Sequence, residues 1–187
     1  MRVTELSLPG VKIIEPIYHE DYRGYYAESY SARSFAKHGI HNVFVQDNHS
    51  FTLSKGVIRG IHFQINPKPQ VKLVRCTNGT VLDVVVDLRG DSPTFKRWLS
   101  VVLSAMNRKQ ILIPSGFGHA FLTLTDNCEV LYKVDEFYAP QYDRAIQWND
   151  PEIAIAWPVA NPIVSKKDSD APLLKDSDVN LTMEANP

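Results

Sequence analysis

No acidic residue occurs between Asp47 and Asp83, although acidic and basic residues are nearly balanced over the whole chain, 21 against 20. Lys55, Arg59, His62, Lys68, Lys72 and Arg75 all fall in that gap. The surface they build is locally positive in a chain of net charge -1, a pattern suited to an anionic small molecule. No block of Lys and Arg exists elsewhere and the pI is near 6.6, which argues against nucleic acid as a partner, since such binding rests on phosphate neutralisation. No apolar run is long enough to span a bilayer. Glu5 and Pro9 interrupt the N-terminal stretch where a signal peptide needs an unbroken apolar region. A cytosolic protein with no membrane association is therefore expected. Cysteine is almost missing, and Cys76 and Cys128 lie in apolar, strand-like sequence, so they read as reduced core thiols.

Helical periodicity is scarce as well, and neither repeats nor low-complexity segments occur. With 187 residues, 44% of them hydrophobic, the chain suits a single domain over 1–187 around one core. Strands are expected at Val11 to Pro16, Tyr25 to Tyr30, Val43 to Ser50, Val57 to Gln64, Val71 to Arg75, Val81 to Leu88, Thr94 to Leu103, Gln110 to Pro114, His119 to Thr125 and Glu129 to Tyr138. Turn signals separate them, among them His19 to Gly24, Arg89 to Pro93 and the hairpin signal Asn78-Gly79. One short helix fits Ser31 to His38, with Ser31 as N-cap and Gly39 as stop. This spacing means an all-β sandwich or barrel. The end of the chain, from about residue 175 to 187, reads as frayed.

The chemistry concentrates between Gly56 and Arg75. Alternation sets Val57, Arg59, Ile61 and Phe63 on one face and Ile58, Gly60, His62 and Gln64 on the other. A hairpin through Asn66 to Gln70 would carry Lys72 towards His62. Taken alone, such a histidine is by default a hydrogen-bonded core side chain and such a lysine a solvated strand charge. Tyr26 and Glu28 share a strand face near Arg23, a set able to hold a planar heterocycle, although aromatic strand residues usually just pack. Asp83 lies on an apolar strand and needs a partner; it and Asp168 are both candidates to orient His62 as a base. Lys72 suits stabilisation of an enolate oxygen, and Tyr132 suits proton return as a phenol.

The Gly56-x5-His62 element and the element from Pro114 to His119 resemble the two motif regions of the cupin superfamily, which are jelly-roll barrels. Metal-binding cupins carry a second histidine two residues after the first and a glutamate soon after. That second histidine is missing here, where Phe63 and Gln64 follow His62, and no glutamate follows them before Asp83. A divalent ion needs three or four donors, so no metal is expected and free imidazole chemistry is the better reading.

DYRGYYAESY, FVQDNHS, KGVIRGIHFQ, QVKLVRC, GTVLDVVVDLR, SPTFKRW, IPSGFGHAFLTL, LYKVDEFYAP and the late SKKD with APLL together resemble the dTDP-4-dehydrorhamnose 3,5-epimerase family, in order from about Val11 to Leu174. The resemblance implies a cofactor-independent isomerase. It removes protons next to the C4 ketone of dTDP-4-dehydro-6-deoxyglucose and reprotonates on the opposite face. It makes His62 the base, Asp168 its paired acid, Tyr132 the general acid, and Lys72 and His119 the residues around the ketone and sugar. Arg59, Gln46, Asn48, Asp143 and Lys167 match further substrate contacts. Arg23 and Glu28 match nucleotide-binding positions that arrive from the partner's exchanged N-terminal strand, so a homodimer is implied. Tyr26 replaces the family's usual phenylalanine near the base, and Asp143 its usual glutamate. The shorter carboxylate loses that contact, bridges it by water, or adapts it to another nucleotide or sugar. The same residues also suit a relative acting at C3 or C5 alone or on another nucleotide-linked 4-keto sugar, and, more distantly, a non-catalytic or metal-dependent cupin.

Overall fold

In the computed structural model, which describes residues 1–183, nearly all regular structure is strand. In chain order the strands are β1 (Arg2–Glu5), β2 (Lys12–Glu15), β3 (Tyr18–Asp21), β4 (Gly24–Ala27), β5 (Gln46–Thr52), β6 (Val57–Gln64) and β7 (Lys72–Asn78). They continue as β8 (Thr80–Asp87), β9 (Trp98–Ser104), β10 (Gln110–Ile113), β11 (Phe117–Thr123), β12 (Cys128–Val134), β13 (Asp143–Ala145) and β14 (Ile163–Val164). Helix α1 (Ala32–Ala36) is capped by Ser31, whose hydroxyl accepts from the Ser34 N–H, and Gly39 beyond it has φ +72°, so the expected helix and its stop are present. A second short helix, α2 (Lys166–Ser169), is capped by Ser165.

Two antiparallel sheets face each other. One runs β1-β2-β10-β7-β12-β5 and the other β13-β6-β11-β8-β9, while β14 adds to β6 in parallel and β3 with β4 makes a separate ribbon. Val74, Cys76, Val81, Val85, Leu103, Ile111, Phe121 and Val130 fill the space between the sheets. A second cluster backs the β6-β11-β8 sheet, where Ile61, Val84, Val86 and Leu88 pack against Ile146, Ile153, Leu174 and Leu181. Strand β8 is thus buried on both faces, and its alternation decides which residues look inward: Val81, Asp83 and Val85. The third cluster sets Phe35 and Ile40 from the α1 region against Ile14, Leu73 and Leu112.

Three expectations are corrected. Asn78-Gly79 does not close a hairpin, because β7 and β8 belong to different sheets; Gly79, at φ +75°, turns the chain across the sandwich. The connection at Asn66 to Gln70 likewise crosses between sheets, since β6 pairs with β11 and β7 with β10 and β12. The chain after residue 175 is packed as far as it is described. Leu181 is buried and its carbonyl accepts from Gly90 N–H, Asn180 bonds Asn66, and Met183 N–H donates to Asp91. Residues 184–187 of the expected frayed end lie outside the described residues. Among the described residues no helix is long and apolar enough to cross a membrane.

Candidate active site

A cavity of about 280 Å³ opens between the two sheets, lined by Gln46, Asn48, Ser50, Arg59, His62, Phe63, Gln64, Gln70, Lys72, His119, Phe121, Tyr132, Tyr138, Asp143 and Lys167. His62 enters from β6 and Tyr132 from β12, so imidazole and phenol stand on opposite walls. Nε2 of His62 lies 2.6 Å from Oδ1 of Asp168. Asp168 is 3% exposed and is delivered by α2; its other oxygen accepts from the Gly60 N–H at 3.4 Å. Burial alone would raise this carboxyl. The bond and charge of His62, with the contributions of Gly60 and Ser165, outweigh it and hold the group below the ordinary aspartate value.

Local backbone decides which side chains reach the cavity. Gly60 has φ +126°, and a Cβ there would lie 2.5 Å from the Ala120 Cβ, so only glycine allows β6 this close to β11. His119 is the register partner of His62 and Phe121 that of Arg59, so three steps of β6 oppose two of β11. This slip overturns the strict alternation expected along β6. It brings Arg59 to the same cavity as His62, where its guanidinium bonds Thr52 and the Phe51 carbonyl.

Lys72 comes from the opposite sheet, yet its Nζ donates to the His62 carbonyl at 3.3 Å, so the expected proximity holds by a different route. The residue is 7% exposed, and burial pulls its pKa down to about 8 against the opposing pull of Asp143 and Asp83. Burial, followed by the Asp143 carboxylate, raises the Tyr132 phenol, which stays protonated at neutral pH. Asp83 does not touch His62. Its Oδ2 is 2.8 Å from Nε2 of His119, so Asp168 holds one histidine and Asp83 the other.

At the cavity mouth Asp143 accepts from Lys167 Nζ at 2.6 Å and from the Tyr138 hydroxyl at 3.3 Å. Gln64 and Gln46 fix the loop that carries Tyr138. Gln64 donates to the carbonyls of Lys68 and Phe137 and accepts from Ala139 N–H, and Gln46 accepts from Tyr138 N–H while donating to Asn48. Tyr138 and Gln64 were not anticipated as site residues. Tyr138 lies in an irregular loop where no periodicity marks it, whereas Gln64, two residues from His62 on one strand, was open to being singled out.

Arg23, Tyr26 and Glu28 are not among the residues lining this cavity. Arg23 is bound to Asp21 in the exposed ribbon, and Tyr26 is 72% exposed. Glu28 is not on a common strand face with Tyr26, since β4 ends at Ala27; its carboxylate accepts from Ser34 beside α1. Among the described residues no group of three or more His, Cys, Asp or Glu is disposed to hold a metal ion.

Two facing antiparallel sheets around an imidazole–carboxylate pair, a phenol and a lysine define a cupin-type sugar-isomerase architecture. The family model for dTDP-4-dehydrorhamnose 3,5-epimerase matches residues 5–176. The chain belongs to this family. It is 47% identical over 180 residues to the dTDP-4-dehydrorhamnose 3,5-epimerase of Pseudomonas aeruginosa, spanning 95% of this chain and 98% of that protein. The crystal structure of the Bacillus anthracis enzyme with TDP and PPi bound superposes with a TM-score of 0.90 at 48% identity, over 92% of this chain and 98% of that one. A Legionella pneumophila epimerase in complex with dTDP-4-keto-L-rhamnose also gives 0.90, at 40% identity, over 95% of this chain and 94% of that one.

Proposed function

We propose that this protein epimerises C3 and C5 of dTDP-4-dehydro-6-deoxyglucose, giving dTDP-4-dehydrorhamnose, without metal or redox cofactor. The observation that carries the reading is the pair of proton-handling groups on opposite walls: His62, seated 2.6 Å from the buried Asp168, and the protonated Tyr132. Inverting a carbon requires a proton to leave one face and another to arrive on the other, which two such walls provide. Nδ1 of His62 takes the proton from the carbon beside the C4 ketone. The electron pair moves into an enolate whose oxygen is met by the Lys72 ammonium and by His119, and the imidazolium is stabilised by Asp168. Tyr132 then gives its proton to the opposite face; His62 releases to solvent the proton it took and Tyr132 regains one from solvent, which restores both groups. Arg59 and Lys167 supply positive charge for the diphosphate.

Arg23, Tyr26 and Glu28 act in a homodimer. The β3-β4 ribbon stands off its own cavity, with Tyr22, Tyr25 and Tyr26 more than half exposed, which suits its reaching a partner's cavity to hold the nucleotide. The test is proton exchange in deuterated water with the dTDP 4-keto sugar, followed by NMR at C3 and C5. Exchange at both carbons is expected. Exchange at one makes the protein a single epimerase, and exchange at neither refutes the assignment.

A further inference from the structure

We propose that Asp83 is a positioning residue for this reaction: it holds His119 doubly protonated, with Nε2–H on the carboxylate and Nδ1–H directed to the oxygen that becomes negative. The inference rests on the epimerase reading above.

His119 sits on β11 opposite His62 on β6, and on its other side it is the register partner of Val85 on β8. Asp83, two residues from Val85 and on the same inward face, is therefore the diagonal neighbour of His119. The two histidines are held alike, each by an aspartate at Nε2, at 2.6 Å for His62 and 2.8 Å for His119. Their aspartates differ. Asp168 also accepts from Gly60, whereas Asp83 is 0% exposed and its Oδ1 has no hydrogen-bond partner among the described residues. A buried carboxylate with a single donor is costly unless that donor carries charge.

An ionised carboxylate only accepts, so Nε2 of His119 keeps its proton. If the ring were neutral, Nδ1 would be a lone pair, and His119 would have no donor to offer a developing enolate. The doubly protonated ring has one, and it completes the neutralisation of Asp83. The remaining charges around the cavity are Lys72, Arg59 and Lys167 against Asp143 and Asp168, the latter already shared with His62. A charged His119 beside a neutralised Asp83 thus leaves the cavity net positive, the complement of an anionic substrate.

Asp83→Asn keeps the shape and removes the charge. Two readouts test it: nitrogen NMR shifts of the His119 ring in substrate-free enzyme at neutral pH, and kcat and KM. The expected results are two protonated ring nitrogens in the wild type, one in Asp83→Asn, and kcat about 100-fold lower with KM little changed. Placed on His119→Ala, Asp83→Asn should add little further loss, because its effect passes through that ring. A wild-type His119 with an unprotonated Nδ1, an Asp83→Asn enzyme that melts earlier but keeps its kcat, or additive losses in the double variant would each overturn the proposal. Failure of the wild type to turn over the dTDP sugar would sink the epimerase reading instead, while the ring shifts would still report the state of His119.

Discussion

Asp168→Asn isolates what the buried carboxylate does for His62. The residue is 3% exposed and its Oδ1 lies 2.6 Å from the imidazole, so an amide of the same shape fits the space. A hydrogen bond to a charged group is worth about 1.5–3 kcal/mol against about 1 kcal/mol for a neutral one. The difference grows in the transition state, where the ring becomes cationic, so a loss of about 2–4 kcal/mol in barrier stabilisation is expected, about 30- to 1000-fold in rate. The amide can also turn its NH2 to the ring and select the wrong tautomer, which pushes the effect to the upper end. Solvent deuterium incorporation at C3 and C5, resolved by NMR, measures it, and a melting curve checks the fold. Both carbons should slow by the same factor, because one base serves both. Exchange within about threefold of wild type at either carbon would falsify the assignment of His62 and Asp168 as that base.

The buried Lys72 gives a pH limb. Its folded pKa is about 8, below that of a free lysine, so in the free protein the useful cation disappears as pH rises through about 8 and kcat/KM should fall there. The folded protein then binds fewer protons than the unfolded chain, so stability should rise between about 8 and the ordinary lysine value, which urea titrations at several pH values can follow. Tyr132→Phe should leave proton abstraction running while inverted product falls about 100-fold, so that deuterium appears in recovered substrate; equal losses of both would refute the phenol as proton donor. Coexpressed Arg23→Ala and His62→Ala chains should regain up to about a quarter of wild-type activity, since half the dimers are mixed and each mixed dimer has one intact site. No regain would remove the exchanged ribbon from the site.

Strand content was legible because alternation is a local property: β8 and β12 announce themselves through Val, Leu and Tyr at every second position. Which sheet a strand joins was not. Asn78-Gly79 has the composition of a hairpin, and only the competing pairing of β7 with β10 and β12 turns it into a corner. The shift that brings Arg59 to the side of His62 depends on how closely Gly60 meets Ala120, a contact between residues 60 positions apart. That His62, Lys72, Asp168 and Tyr132 come together was legible through the family's motifs, but the pairing of aspartates with histidines was not. Asp83 to His119 and Asp168 to His62 span 36 and 106 residues, and no spacing rule chooses between them. Asp83, a lone charge on an apolar strand, still showed that it needed a partner.

Gln64 ties the strand that carries His62 to the loop that carries Tyr138, through bonds to Phe137 and Ala139. The mouth of the cavity and the wall that carries His62 are consequently one mechanical piece, and under the proposed function the gap between them would gauge the length of the sugar that passes. A homologue that varied the loop while keeping this glutamine would change what the entrance accepts without moving the histidine, whereas loss of the glutamine would loosen both at once.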